Sequence, residues 1–157
     1  MPRPLRILAL AALLLAGGIA TARGADAKPR PTEYDLKAAF LFNFAQFVEW
    51  PTNAFGSSNA PIVIGILGPD PFQGALDKIC AGEEVRGRPL RVVRFARASD
   101  VRPAHMLFIP RAMGSQLPDA LERVAESPTL TISDADKFAE RGGMIQLFTD
   151  QNQVRLR

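Results

Sequence analysis

The chain has 157 residues, of which 47% are hydrophobic and 22% charged, with a formal net charge of +3. This is the composition of an ordinary globular protein, and it excludes a long disordered or collagen-like chain. One cysteine and one histidine exclude an internal disulfide framework and a thiolate zinc cluster. No metal ion and no cofactor is therefore predicted.

The first 22 residues have the pattern of an export signal. Two arginines precede an apolar run from Ile7 to Ala16, and Ala20-Thr21-Ala22 supplies the small residues of a cleavage site. The run is shorter than the ~20 residues that a transmembrane helix needs. We predict an exported protein cleaved after Ala22, with a cut after Ala27 or an uncleaved membrane anchor as alternatives.

Loss of the signal changes the charge of the chain. Removing residues 1–22 deletes two of 19 basic residues and none of 16 acidic ones, which leaves 17 against 16 and a net charge of +1. A nearly neutral chain lacks the clustered basic footprint of nucleic-acid recognition. We therefore predict no nucleic-acid partner.

An aromatic helix is predicted after a flexible leader at residues 23–31. Thr32 is the expected N-cap, the helix runs to about Glu49, and Trp50-Pro51 ends it, because proline disfavours α geometry in the residue before it. Apolar residues recur at helical spacing, with other large apolar residues widening the face: Leu36, Phe40, Phe44 and Phe47. Such a helix must be covered on most sides, by its own domain or by a partner.

Strands and short helices alternate along the rest of the chain. Strands are predicted over 62–67, 90–96, 105–109, 130–133, 144–149 and from 154 onward, and helices over 72–79, 116–125 and, as a short turn, 134–140. This order predicts a three-layer α/β domain, with a mainly parallel central sheet flanked by helices and a C-terminal antiparallel hairpin. Since the chain stops inside that hairpin, we expect the domain, residues 32–157, to lack its C-terminal end.

The candidate reactive groups each have a plainer interpretation. Gly65 and Gly68 follow a buried strand, but two prolines remove N–H donors from the next loop, so a tight turn is predicted rather than a phosphate site. No pattern brings Cys80 and His105 together, which disfavours a Cys-His enzyme. An intermolecular disulfide through Cys80 is a further alternative, because an exported protein meets oxidising conditions.

Charged clusters also favour contact over catalysis. The pairs Glu83-Glu84 and Asp134 with Asp136 are interpreted as turn residues and, together with Ser133, as caps of the turn at 134–140. Six arginines lie from position 86 to position 102, with Phe95 as the single aromatic residue among them. One ring is not a set of stacking platforms, so we expect a solvated face or the rim of a protein-docking surface. Taken together, the candidate reactive and charged groups favour a binding or regulatory protein over an enzyme.

Five blocks in register resemble the YfiR-like family of exported bacterial proteins. They are Tyr34–Phe44 with Phe47–Pro51, Ile64–Gly68 with Asp70–Phe72, Gly87–Leu90, His105–Ile109, and Leu130–Asp134 with Phe138 and Arg141–Ile145. The resemblance implies a periplasmic, non-enzymatic repressor that contacts the periplasmic region of an inner-membrane diguanylate cyclase. It also implies release by an outer-membrane, peptidoglycan-binding lipoprotein, a link from envelope stress to cyclic di-GMP and biofilm formation, and a possible homodimer.

Two sets of residues are predicted to matter for such a function. Candidates for partner or dimer contact are Phe40, Phe44, Phe47 and Trp50, although core packing is the favoured interpretation of these residues. The family-signature turn comprises Ser133, Asp134, Arg141, Gly142, Gly143 and Met144, in which the glycines are expected to shape the chain. With Cys80 as the one cysteine, disulfide control inside one molecule does not carry over.

A second kind of function stays open in the sequence. Parallel α/β sheets bind small molecules in the crevice beyond the carboxyl ends of their strands. Here that crevice is expected near Gly68, Pro110 and Ser133. The alternative prediction is therefore a periplasmic small-molecule-binding protein without a cyclase partner.

Overall fold

The first helix begins at a complete capping box. The computed structural model describes residues 30–151 and 153–157, so the predicted export signal lies outside the described residues. Helix α1 spans Glu33–Phe47. Thr32 Oγ1 accepts a hydrogen bond from the Asp35 N–H at 3.1 Å, and the Asp35 carboxylate accepts one from the Thr32 N–H at 2.7 Å. These reciprocal bonds confirm the predicted N-cap.

The helix ends two residues before the predicted position. Val48 is already extended, with ψ of 136°, and this lets the Trp50 indole N–H donate to the His105 carbonyl at 3.0 Å. The restriction that Pro51 places on Trp50 acts in the same direction.

Replacing Thr32 by alanine should lower the free energy of unfolding by about 1 kcal/mol, because the Asp35 N–H loses its acceptor. Urea denaturation measures this difference. Ser58→Ala, in an exposed loop, is the matched control and should leave stability unchanged. Equal stability of the two variants would contradict the capping role.

Seven strands form one sheet in the order β2-β3-β1-β4-β5-β6-β7. They are β1 (Ile62–Leu67), β2 (Glu84–Val85), β3 (Arg88–Phe95), β4 (Met106–Ile109), β5 (Leu130–Ser133), β6 (Ile145–Asp150) and β7 (Gln153–Leu156). The five central strands are parallel, whereas β2 and β7 pair in antiparallel hairpins at the two edges. The predicted mainly parallel sheet with a C-terminal hairpin is confirmed.

Alternate residues of the strands face two separate cores, because side chains along a strand point to opposite faces. On one face, Ile64, Ile66 and Phe108 pack with α1 and with α2 (Ala75–Cys80). On the other, Leu107 and Ile109 pack with α3 (Leu117–Val124). This is the predicted three-layer arrangement. Within the described ranges, none of the helices combines the length and apolar composition that crossing a bilayer requires.

The short helices are where the sequence prediction is wrong. A helix was expected over 72–79, but α2 begins at Ala75, since Gln73 and Gly74 both have positive φ, 50° and 84°. The expected helical turn at 134–140 is reduced to a 3-10 turn at Ala139–Arg141. Isolated turns of this length carry little periodic signal.

The first hairpin was not predicted. Strands β2 and β3 are joined by a two-residue loop, Arg86-Gly87, with Val85 opposite Arg88. Both loop residues have positive φ, 52° and 73°, as a type I′ hairpin turn requires. A strand of two residues is too short to show an alternating pattern. The hairpin could have been predicted from its Arg86-Gly87 loop.

Candidate functional site

A buried ionic cluster joins α1 to the carboxyl edge of the sheet. The Asp134 carboxylate, directly after β5, accepts hydrogen bonds from Lys37 Nζ at 2.7 Å and from the Tyr34 hydroxyl at 2.9 Å. Its other oxygen accepts the Arg111 N–H, after β4, at 2.7 Å. The side chains of Lys37 and Asp134 have no exposed surface. We name these four residues the Asp134 cluster.

The electrostatics of the cluster are balanced internally. Burial alone would raise the pKa of Asp134, but the hydrogen bond and charge of Lys37 and the Arg111 N–H outweigh it and hold the pKa below its usual value. Burial and the bond to Asp134 raise the pKa of Tyr34 to about 12. Lys37 also pairs with Glu33 at the surface. Because its donors and acceptors satisfy one another, the cluster positions α1 and presents no activated group.

The interpretation of Asp134 as a cap of the following turn is wrong. Its carboxylate instead accepts the first N–H of the 3-10 turn Arg111–Met113, which is distant in sequence. Ser133 does bond locally, since its Oγ accepts the Ala135 N–H at 2.9 Å. Lys37 is not among the predicted site residues, although its position four residues before Leu41 places a charge on the buried face of α1.

The signature turn is shaped by its glycines, as expected. Gly142 has φ of 94°, which favours glycine. A Cβ at Gly143 would overlap the ring of Phe138, which is fully buried. Arg141 donates to the Gly114 carbonyl at 3.0 Å. Met144 is 60% exposed, so this turn also presents an apolar side chain to solvent.

The four contact candidates on and after α1 differ in what they present. Phe40 and Phe44 are half-buried, pack against the core and lie with ring centroids 6.3 Å apart. Trp50 is fixed by its bond to the His105 carbonyl and an edge-on contact with the His105 ring. Phe47 is 78% exposed. Of the four, Phe47 offers the most surface to a partner.

The thiol and the imidazole are both enclosed by the fold. Cys80 is buried at the end of α2, and burial, with help from Asp77 and Glu83, raises the pKa of its thiol to about 11. That pKa opposes thiolate chemistry. The intermolecular disulfide through Cys80 stays a prediction. Among the residues that the structure describes, no cluster of three metal-ligating side chains occurs.

Most of the six arginines from position 86 to position 102 form ion pairs or hydrogen bonds within the domain. Arg94 pairs with Asp70 and Asp77, and Arg86 pairs with Glu49 at 3.1 Å. Arg88 donates to two loop carbonyls. The segment therefore serves partly to tie loops to β2 and β3, which the sequence pattern does not reveal.

The crevice at the strand ends is occupied by the protein itself. Gly68 has φ of 75°, as the predicted tight turn requires, and the Met113 side chain packs directly on it. Ser133 Oγ donates to the Ile109 carbonyl. A separate open groove of about 360 Å³ lies between the start of α1 and the approach to α2, lined in part by Tyr34 and Phe72.

The fold and these surfaces define a three-layer α/β domain with a closed ionic cluster and an exposed aromatic residue at one helix end. Residues 34–157 match the family described as YfiR/HmsC-like. The match covers more than half of the chain, and the protein belongs to the YfiR/HmsC-like family. A comparison with curated proteins finds no match.

Proposed function

We propose that this protein is an exported, periplasmic regulator that represses an inner-membrane diguanylate cyclase by protein-protein contact. The observation that carries the proposal is membership of the YfiR/HmsC-like family over residues 34–157. Action by contact agrees with a buried thiol and an ionic cluster whose groups satisfy one another.

The contact is assigned to the C-terminal end of α1. Phe47 exposes 78% of its surface, and aromatic side chains, phenylalanine among them, are enriched at protein-protein interfaces relative to the rest of the surface. The Asp134 cluster fixes the other end of the same helix to the sheet. A partner therefore meets a preorganised surface and loses little free energy in ordering it.

Repression follows from differential binding. A regulator lowers cyclase activity only to the extent that it binds the inactive conformer of the cyclase more tightly than the active one. An outer-membrane, peptidoglycan-binding lipoprotein that binds the same surface would remove the regulator and raise cyclic di-GMP. Envelope stress would then be coupled to biofilm formation without any reaction by this chain.

Replacing Phe47 by alanine should abolish most of the repression. Truncating a dominant contact residue costs ~2 kcal/mol or more of binding free energy, about 30-fold in affinity. In a deletion strain complemented with this variant, intracellular cyclic di-GMP should approach the level of the deletion. Pull-down from envelope extracts should recover less cyclase than with the wild type.

Met144→Ala compares the signature turn with α1 as the contact surface, because it truncates another exposed apolar side chain that does not belong to α1. It should complement like the wild type. If Met144→Ala derepresses and Phe47→Ala does not, the contact lies at the signature turn and the assignment to α1 is wrong. If deletion of the gene leaves cyclic di-GMP unchanged and no cyclase is recovered, the proposed function itself fails.

A further inference from the structure

The side chain of the single histidine accepts a strand N–H that a backbone carbonyl would normally accept. His105 lies one residue before β4, and its Nδ1 accepts the Val63 N–H of β1 at 2.9 Å. Nδ1 therefore carries no proton, and the proton of the neutral ring is on Nε2. Within the described part of the chain, Nε2 is buried and has no hydrogen-bond partner.

The imidazole also supports the loop that follows α1. The Phe55 ring stacks on His105 with centroids 4.5 Å apart. The Arg88 guanidinium lies 3.7 Å from the Phe55 centroid and donates to the carbonyls of Ser57 and Ala60 at 3.0 and 2.8 Å. Residues 51–60, which we name the latch loop, are thus held by a stack whose inner member is His105.

Protonation of His105 is incompatible with this arrangement. A proton on Nδ1 would place a donor against the Val63 N–H, so the bond across the start of the strands would be lost. To relieve that contact, the imidazole and the Val63 N–H must move apart, and the ring carries the Phe55 ring that stacks on it. We propose that the latch loop is a pH-sensitive element, closed over a neutral His105 and released when His105 is protonated. This inference does not rest on the proposed function.

The surroundings of the ring favour its neutral form. Burial lowers the pKa of His105 and the charge of Arg88 on β3 lowers it further, whereas the Ala54 carbonyl, which lies outside regular hydrogen-bond geometry, favours the protonated ring and acts in the opposite direction. The remaining neighbours are the Trp50 and Phe55 rings and the Val63 backbone, none of which titrates in this range. The charged group that acts on the ring is therefore Arg88.

The difference between the pKa of His105 in the open loop and in the closed loop determines how the open fraction depends on pH. The opened loop exposes His105 with a pKa near its ordinary 6.5, whereas the closed loop holds it lower. Opening therefore takes up a proton between these two values, and the open fraction rises as pH falls below 6.5. Linkage sets the slope at up to about tenfold per pH unit.

Hydrogen exchange on the full chain at pH 7.5 and pH 5.5 tests the proposal. After correction for the intrinsic exchange rate, the amides of the latch loop that are protected at pH 7.5, and of Val63, should lose protection by up to about tenfold at the lower pH, while those of β5 keep theirs. The single tryptophan reports the same event, because Trp50 contacts the His105 ring. Its fluorescence should change over the pH range in which loop exchange rises.

His105→Asn is the matched variant, because the asparagine oxygen can accept the Val63 N–H but does not titrate. Its protection should not depend on pH over this interval. Should that variant fail to fold, an NMR titration of the wild-type imidazole must give a midpoint below 6.5, the pH at which loop exchange begins to rise. Protection that is independent of pH in the wild type, an equal loss in the asparagine variant, or an imidazole midpoint at or above 6.5 would overturn the proposal.

Discussion

Replacing Asp134 by alanine should lower the free energy of unfolding by about 3 kcal/mol, the lower end of the cost of breaking a buried ion pair, because Lys37 keeps its pairing with Glu33. Lys37 Nζ lies 2.7 Å from Asp134 and has no exposed side-chain surface. The Tyr34 hydroxyl and the Arg111 N–H would lose their acceptor as well. Urea denaturation followed by circular dichroism gives the difference directly.

The double variant Lys37→Met, Asp134→Leu separates charge from packing. Apolar residues of similar size can replace a buried ion pair at little cost, so it should recover most of the stability lost in Asp134→Ala. Arg111→Ala, which removes a half-exposed side chain 3.8 Å from the carboxylate, should cost less than 1 kcal/mol. A loss below 1 kcal/mol in Asp134→Ala would show that the cluster is not the anchor of α1.

The ion pair between Lys37 and Asp134 also limits the stability of the folded protein at acid pH. Because the pKa of Asp134 lies below 3.8 in the folded protein, its stabilisation is present above that value and is lost as pH falls through the folded-state pKa. This loss occurs below pH 3.8, whereas the release of the latch loop begins as pH falls below 6.5. The two acid effects can therefore be measured separately on one chain.

Replacing Gly143 by alanine should also be strongly destabilising, by about 1–3 kcal/mol. The added Cβ would overlap the ring of Phe138, which is fully buried among the residues that α3 covers. The ring cannot move aside without disturbing that core. Thermal unfolding of the purified variant measures the effect.

Gly56→Ala is the control for the general effect of losing a glycine. No atom lies within 4 Å of a Cβ built there, and its φ is not among the positive values, so stability should be unchanged or slightly increased. Adding Phe138→Leu to Gly143→Ala should remove the overlap at the price of a smaller core residue. If Gly143→Ala is as stable as Gly56→Ala, the close approach has no energetic importance.

The central strands could be predicted because buried strands are rich in apolar residues, which the sequence shows directly. Strands β1 and β5 have the predicted limits, 62–67 and 130–133. Strand β1 is a continuous apolar run, whereas β5 is short and alternates apolar with small polar residues, and turn residues follow both. The short elements β2 and α2 depend on backbone with positive φ at Arg86, Gln73 and neighbouring glycines. Residues other than glycine adopt such backbone too rarely to be predicted from residue type.

The candidate site was predictable only in part. Phe47 stands out as an aromatic residue on a crowded helix, but its exposure, and the structural role of Trp50, depend on how α1 ends against His105. The Asp134 cluster joins residues 97 positions apart. Only the topology of the sheet, which brings the carboxyl ends of β4 and β5 beneath α1, places them together.

Burial of Lys37 gives the domain a built-in chemical reporter. The other lysines of the domain, Lys78 and Lys137, are exposed and open to acylating reagents, whereas the Lys37 amine is shielded as long as α1 stays docked on the sheet. The labelling of Lys37 relative to Lys78 therefore measures the undocking of α1. In a mixture with a binding partner, that ratio would distinguish a regulator that binds as a rigid body from one that opens.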